Sequence, residues 1–267
     1  MLGAIIGDIV GSRFEWDNKK TKEFELFTDE CCFTGDSVMT LAIAKAILLS
    51  DSNYEMLSKN AIKCMQRFGR KYPYAGFGGS FFRWIHSFDP KPYHSWGNGS
   101  AMRVSGCGIV ANSLEEAIKL SKKVTEVTHN HPEGIKGAQA TAVAIYLAKT
   151  GKSISEIKDY INKHYYQIDF KLDDIRDTYR FDVSCQGSVP QALAAFFEST
   201  DFEDAIRNAI SIGGDSDTIG AITGSIAQAY YGIPDKIRAE AIKYLDEYLL
   251  GVLNEFENRY PSKIEVK

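Results

Sequence analysis

Two short stretches hold most of the residues whose types and spacing could do chemistry. "GGDSDT", residues 213–218, sets Asp215 and Asp217 two apart, with Ser216 and Thr218 beside them, at the mouth of a segment rich in small residues. "FTGDS", residues 33–37, places Thr34 and Asp36 just before the apolar run "VMTLAIAKAILL". Helix capping explains either one: a short polar side chain accepts a hydrogen bond from a free amide of the first turn. One cap needs one such residue, however, and residues 215–218 supply four. Two carboxylates in one short loop also repel each other unless a cation or hydrogen bonds compensate. A divalent metal compensates in this way, and oxygen-only ligands suit Mg²⁺, Mn²⁺ or Ca²⁺. On this stretch alone, capping and metal binding both stay open.

Familiar metal and nucleotide motifs are absent. The haloacid-type phosphatase pattern wants an apolar strand before its Asp-x-Asp and a Thr two residues after the second Asp. Here Thr218 follows Asp217 at once, and the preceding segment reads as a helix. An EF-hand loop counted from Asp215 would need Glu where Ile226 stands. There is no P-loop, and "GNG" at 97–99 is too short a signal for a nucleotide.

The elements that must position these residues are mostly helical. In "LEEAIKLSKKVTEVTH", Ala117, Leu120, Val124 and Val127 draw one apolar stripe, and "FEDAIRNAISIGG" repeats the pattern before stopping at Gly213-Gly214. "GAQATAVAIYLAKTG" is apolar nearly all round and predicts a central, buried helix. "IRAEAIKYLDEYLLGVLNEFENRY" predicts one long amphipathic helix opened by Pro234. "KEFELF" is the best candidate for a strand or extended piece. Residues 68–105, dense in Gly, Pro and aromatics, predict long irregular structure of the kind kept for function. Repeated βα units are missing, so the expectation is all-α, one compact helical domain over residues 1–267 with long irregular loops lining a cleft.

Composition narrows the function classes. Of the 267 residues, 44% are hydrophobic and 25% charged, and the net charge is −4, so no basic footprint for nucleic acid or an anionic membrane is present. Five cysteines without a Cys-x-x-Cys pair argue against a disulfide framework or zinc ribbon. The apolar start "MLGAIIGDIVGSRFEW" is interrupted by Asp8 and lacks a basic lead-in, so it does not read as a signal peptide. No stretch reaches the length of a membrane span. The expected setting is cytoplasmic.

Taken together, the blocks "GAIIGDIVGSRFE", "FTGDSVMTLA", "WGNGSAMRV", "VTHNHPEGIKGAQA", "SVPQALAAFFES" and "GGDSDTIGAITGSIAQAYYG" resemble, in order, those of the ADP-ribosylglycohydrolase family, the DraG-like ADP-ribosyl-acceptor hydrolases. The resemblance covers nearly the whole chain. It implies an all-α fold with two divalent cations, Mg²⁺ or Mn²⁺, at the floor of an ADP-ribose cleft. The ligands it implies are Glu15, Thr34, Asp36, Asp215, Asp217 and Thr218. It also implies that Trp96, Gly97, Asn98, Gly99, Ser100, Ala101 and Met102 line the ADP-ribose pocket, and that His129 touches the ligand. A Gly-rich loop suits that task, having no Cβ in the way and free amides as anion donors. His131 is left with a capping or packing role.

One position departs from the family pattern. Its loop normally carries an Asp that binds metal and touches substrate where this chain has Gly35. Glu15, Asp36, Asp215 and Asp217 carry four negative charges against the four positive ones of two divalent ions; an Asp at 35 would make five. The resemblance thus implies hydrolysis of the bond between ADP-ribose and an acceptor, with Glu15 and Asp36 as the candidate catalytic carboxylates. The partner would be ADP-ribose or an ADP-ribosylated protein or small molecule, with no membrane partner and nucleic acid only as a modified substrate. The alternative is an ADP-ribose-binding module of weak or no activity, which Gly35 favours. A third is a two-metal phosphohydrolase acting on a free nucleotide.

Overall fold

The computed structural model describes residues 1–50 and 52–261. The first half of the chain folds as α1 (Leu2–Ser12), α2 (Gly35–Leu48), α3 (Leu57–Lys71), α4 (Gly79–His86), α5 (Ser105–Val110), α6 (Leu114–Thr125) and α7 (Pro132–Lys149). The second half adds α8 (Ile154–His164), α9 (Leu172–Ile175), α10 (Cys185–Phe197), α11 (Phe202–Ser211), α12 (Ser216–Tyr231), α13 (Asp235–Ala241) and α14 (Glu247–Arg259). Among the described residues the β structure amounts to one isolated antiparallel bridge, Gly97 with Ser184. The fold is all-α, as expected. No described helix is long and apolar enough to cross a membrane.

Local chemistry sets many of the helix starts. Ser113, Ser153 and Asp201 accept from the amides of Glu116, Glu156 and Asp204 at the entrances of α6, α8 and α11. At α7, Pro132 supplies a pre-set first residue, and His131 Nδ1 accepts from the Glu133 amide at 3.1 Å. His131 is therefore a cap. As predicted, α7 is buried on nearly every side.

The feature that positions everything else is the contact between α1 and α12. Gly3, Gly7 and Gly11 recur every four residues and so share one face of α1. A Cβ on Gly3 would lie 2.2 Å from the Gly224 carbonyl oxygen, one on Gly7 1.9 Å from that of Gly220, and one on Gly11 2.5 Å from Asp217 Cα. Side chains are thus excluded from the seam, and the two backbones touch. As the numbers rise along α1 they fall along α12, so the helices run antiparallel. The C-terminal end of α1 meets the N-terminal end of α12.

Three segments differ from what periodicity predicts. "KEFELF" forms no strand: Phe24, Leu26 and Phe27 pack on the core. The carbonyls of Lys22 and Phe24 accept from Arg207, and that of Glu25 from Arg13, so arginines replace a partner strand. Inside residues 68–105 lies α4, whose Trp84 and Ile85 are buried. The predicted long C-terminal helix is broken into α13, a 3₁₀ turn at Ile242–Tyr244 and α14. Asp246 caps the restart, accepting from the Leu249 amide at 2.9 Å and from the Tyr72 hydroxyl at 2.7 Å. The apolar period runs through this break unchanged, so only the capping residue marks it.

Candidate functional site

Asp8 is the one carboxylate in an otherwise apolar α1, and it is fully buried. Its oxygens accept from the Thr34 amide at 2.9 Å, the Thr34 hydroxyl at 2.6 Å and the Ser37 amide at 3.0 Å, and also from the Ser37 hydroxyl. Asp8 thus caps α2 from a different helix, satisfying donors that α2 leaves open. This pins the entrance of α2, with Thr34 and Asp36, onto the end of α1. Thr34 also caps its own helix, accepting from the Asp36 amide.

The other side comes from the turn between α11 and α12. Gly213 and Gly214 adopt φ of 67° and 80°, the left-handed region that glycine enters freely. Asn18 clamps Gly214 from both sides, donating to its carbonyl at 3.0 Å and accepting from its amide at 2.8 Å. The same Asn18 amide donates to the Phe14 and Glu15 carbonyls, so one residue ties the Glu15 loop to the glycine turn. The turn delivers Asp215 and Asp217 to the mouth of α12.

These pieces converge. The Thr218 hydroxyl donates to Asp36 Oδ2 at 2.7 Å, and Thr34 Oγ1 lies 3.4 Å from Asp217 Oδ2. One carboxylate oxygen each from Glu15, Asp215 and Asp217 lie within 4.8 Å of one another. Asn98 donates to Asp215 Oδ2 at 2.7 Å, joining the Gly97–Gly99 turn to this acidic floor.

The electrostatics are those of crowded anions. Burial, then Asp215 and Asp8, push the Glu15 carboxyl up to about 7. Burial and neighbouring carboxylates push Asp36 and Asp217 well above the usual range. Asp8 and Asp215 rise as well, chiefly by burial, against the donors that each accepts from. The ion pairs formed by the described residues all lie elsewhere. Buried carboxylates without a paired cation are costly in their charged form. A hard divalent cation would relieve that cost, and an all-oxygen donor set fits one. The residues present fit a metal; which ion it is does not follow from oxygen donors.

The remaining residues of the predicted site, Gly35 apart, lie on one turn and its surroundings. Trp96 is half exposed and packs on the His131 ring. Ser100, Ala101 and Met102 turn their side chains into the core, with Ser100 donating to the Gly134 carbonyl. His129 is buried, and its Nε2 would be 3.5 Å and 3.6 Å from a Cβ on Gly97 and on Gly99. Gly35 is packed under Phe77: a Cβ there would lie 3.0 Å from two ring carbons and 3.1 Å from the Ala75 carbonyl oxygen. A side chain at position 35 would start in tight contact with that ring, which must yield by a few tenths of an ångström to admit it.

Sequence reading missed Asn18, the capping role of Asp8, and residues 183–185, which pair with the turn. The Asn98 amide donates to the Val183 carbonyl at 2.7 Å and the Cys185 amide to the Trp96 carbonyl at 2.9 Å. For Asp8 a signal existed, a lone carboxylate in an apolar helix. For the others nothing local stands out.

Comparisons with known proteins bear on the family and the fold. A family model described as ADP-ribosylglycohydrolase matches residues 1–263. The human ADP-ribosylhydrolase ARH3 is 25% identical, with 87% of this chain and 84% of that protein covered. The ADP-ribosylarginine hydrolase Tri1 of Pseudomonas putida (strain GB-1) is also 25% identical, over 87% of this chain and 70% of its own. A solved structure, an ADP-ribosylglycohydrolase-related protein complex, superposes with a TM-score of 0.68 at 20% identity, covering 96% of this chain and 95% of that one. The chain belongs to the ADP-ribosylglycohydrolase family.

Proposed function

We propose that this chain, acting as one domain, is a divalent-cation-dependent hydrolase that releases ADP-ribose from an acceptor group. The carrying observation is the convergence of Asp36 from α2 with Asp215 and Asp217 from α12, bridged by the 2.7 Å Thr218–Asp36 hydrogen bond. In this reading Glu15, Asp215 and Asp217 would hold one ion. Asp36 with the Thr34 and Thr218 hydroxyls would contribute to a second, which the glycine at 35 would leave with one carboxylate fewer. Bound divalent cations supply Lewis acidity and a template for ribose hydroxyls. Glu15, the partly exposed member of the floor, takes the proton from the attacking water as oxocarbenium character develops at the anomeric carbon. The departing acceptor atom keeps the electron pair of the broken bond and receives that proton back from Glu15. Asp36, buried and held by Thr218, orients the ribose side of the site. Asn98 holds Asp215, and the Gly97–Gly99 turn receives the ADP-ribose backbone. The five cysteines are free thiols, which suits a cytoplasmic protein.

Single-turnover release of ADP-ribose from arginine- and serine-modified proteins, with Mn²⁺ or Mg²⁺ and with chelator, tests this. Release that needs the metal is the expected result, and release equal in chelator overturns the metal-dependent reading. The packing of Phe77 against Gly35 favours a second reading, a binding module that holds ADP-ribose without cleaving it. Calorimetric binding of ADP-ribose with no release in the same tubes would establish that one.

A further inference from the structure

Arg103 is 1% exposed and, among the described residues, has no carboxylate partner. Its Nε meets no acceptor. Its Nη2 donates to the Thr128 hydroxyl at 2.7 Å and to the Val124 carbonyl at 3.3 Å. A permanent cation this deep in a core is costly unless something uses it.

The bond to Thr128 leads onward. Thr128 is fully buried, and its Oγ1 is 2.7 Å from His129 Nδ1 and 3.3 Å from the Thr125 carbonyl. A hydroxyl has one proton to give. At 2.7 Å Nδ1 is at ordinary hydrogen-bond length, whereas 3.3 Å is outside the usual range for a hydroxyl–carbonyl bond. The guanidinium also polarises the hydroxyl, making it a stronger donor. Nδ1 therefore accepts, and a neutral imidazole that accepts at Nδ1 carries its proton on Nε2. Burial, with Arg103 as a second cause, holds His129 neutral by pushing its pKa well below the usual value. Nε2 has no hydrogen-bond partner among the described residues and lies over the Gly97–Gly99 turn.

We infer that Arg103 and Thr128 are positioning residues: they fix His129 as its Nε2–H tautomer and set a permanent positive charge two hydrogen bonds behind a donor aimed at an anion in the Gly97–Gly99 turn. That the anion is the diphosphate of ADP-ribose rests on the proposed function; the tautomer does not.

The test has two readouts. Long-range ¹H–¹⁵N correlation on histidine-labelled wild-type protein reports the tautomer without any substrate or variant. The expected spectrum has Nδ1 unprotonated and Nε2 protonated, and the reverse overturns the relay. Binding of ADP-ribose and of adenosine, measured by calorimetry with Mn²⁺, then compares wild type with Thr128→Val and Thr128→Ser. The Val variant should lose about tenfold for ADP-ribose, the size of one charge-assisted hydrogen bond, with adenosine unchanged and Ser restoring the wild-type value. An equal loss for both ligands means a structural role only and overturns the inference, as does a Val variant with wild-type affinities. Wild-type protein that ignores ADP-ribose overturns the diphosphate assignment. ADP-ribose binding with the expected ratio but without release sinks the hydrolase reading and supports this one.

Discussion

The two sides of the site are opposites. The floor, built where α1, α2 and α12 meet, gathers Asp8, Glu15, Asp36, Asp215 and Asp217 with no paired cation among the described residues. The wall, built from the Gly97–Gly99 turn and the end of α6, buries Arg103 with no paired carboxylate among the described residues. Asn98 spans the two, its amide on Asp215 and its backbone in the turn. Folding alone would neutralise such charges by letting them meet. Keeping them apart leaves the floor attractive to cations and the wall attractive to anions, as the proposed function requires of a site that takes both metal ions and a nucleotide sugar.

Breaking the floor as a whole gives the largest effect. Gly7→Ala places a Cβ 1.9 Å from the Gly220 carbonyl oxygen, so α1 and α12 must part. Overpacking of this kind costs about 3 kcal/mol. The urea midpoint should drop accordingly, and activity should fall with it; an unchanged midpoint would show that the seam yields freely.

Asp217→Asn removes one floor charge while keeping the shape. Metal-dependent release should fall by at least about 10²-fold, the upper range for disturbing a metal's surroundings. The chelator-treated variant should nevertheless melt at a higher temperature than wild type, because a repelled, buried carboxylate is gone. Lower activity with a lower melting temperature would contradict the repulsion.

The pH dependence sharpens the same contrast. Glu15, raised to about 7 from an ordinary 4.5, binds a proton more tightly when folded than when unfolded, and its buried neighbours shift in the same direction. The contribution is complete below about pH 4.5 and is lost as pH rises through about 7. Metal-free protein should therefore melt lower at pH 8 than at pH 5. Saturating Mn²⁺ should shrink or reverse that difference, since under the proposed function the ion would bind the deprotonated floor. Melting curves with and without chelator at both pH values decide it.

The smallest effect is expected at position 35. Gly35→Asp alone meets the Phe77 ring and the Ala75 carbonyl, so Mn²⁺ affinity should change little. Combined with Phe77→Ala, the new carboxylate gains room, and Mn²⁺ should bind about tenfold tighter by calorimetry, within the range seen when a metal's surroundings are altered. A single variant as strong as the double would mean that the ring is no obstacle.

How legible was all this in the sequence? Polar residues that sit before apolar runs announce themselves, so Thr34, Asp36, Asp215, Asp217 and Thr218 could be picked out one stretch at a time. What brings them together could not. The glycines at 3, 7, 11, 220 and 224 are visible as letters, but that the two helices touch is a property of distant pairs. Asn18 and Thr128 act through hydrogen bonds to residues distant along the chain, Gly214 and Arg103, and no local pattern marks such residues. The C-terminal break fails for the opposite reason: a strong apolar period continues through Asp246, and one cap overrides it.

The glycine seam also dictates an order of assembly. Gly3 donates a hydrogen bond to Gln228 across 225 residues, so α1 leaves the ribosome long before the helix that covers it exists. Contacts this distant are closed late and slow folding. Until α12 arrives, a nascent chain exposes the glycine face of an otherwise apolar α1, the kind of surface that chaperones shield.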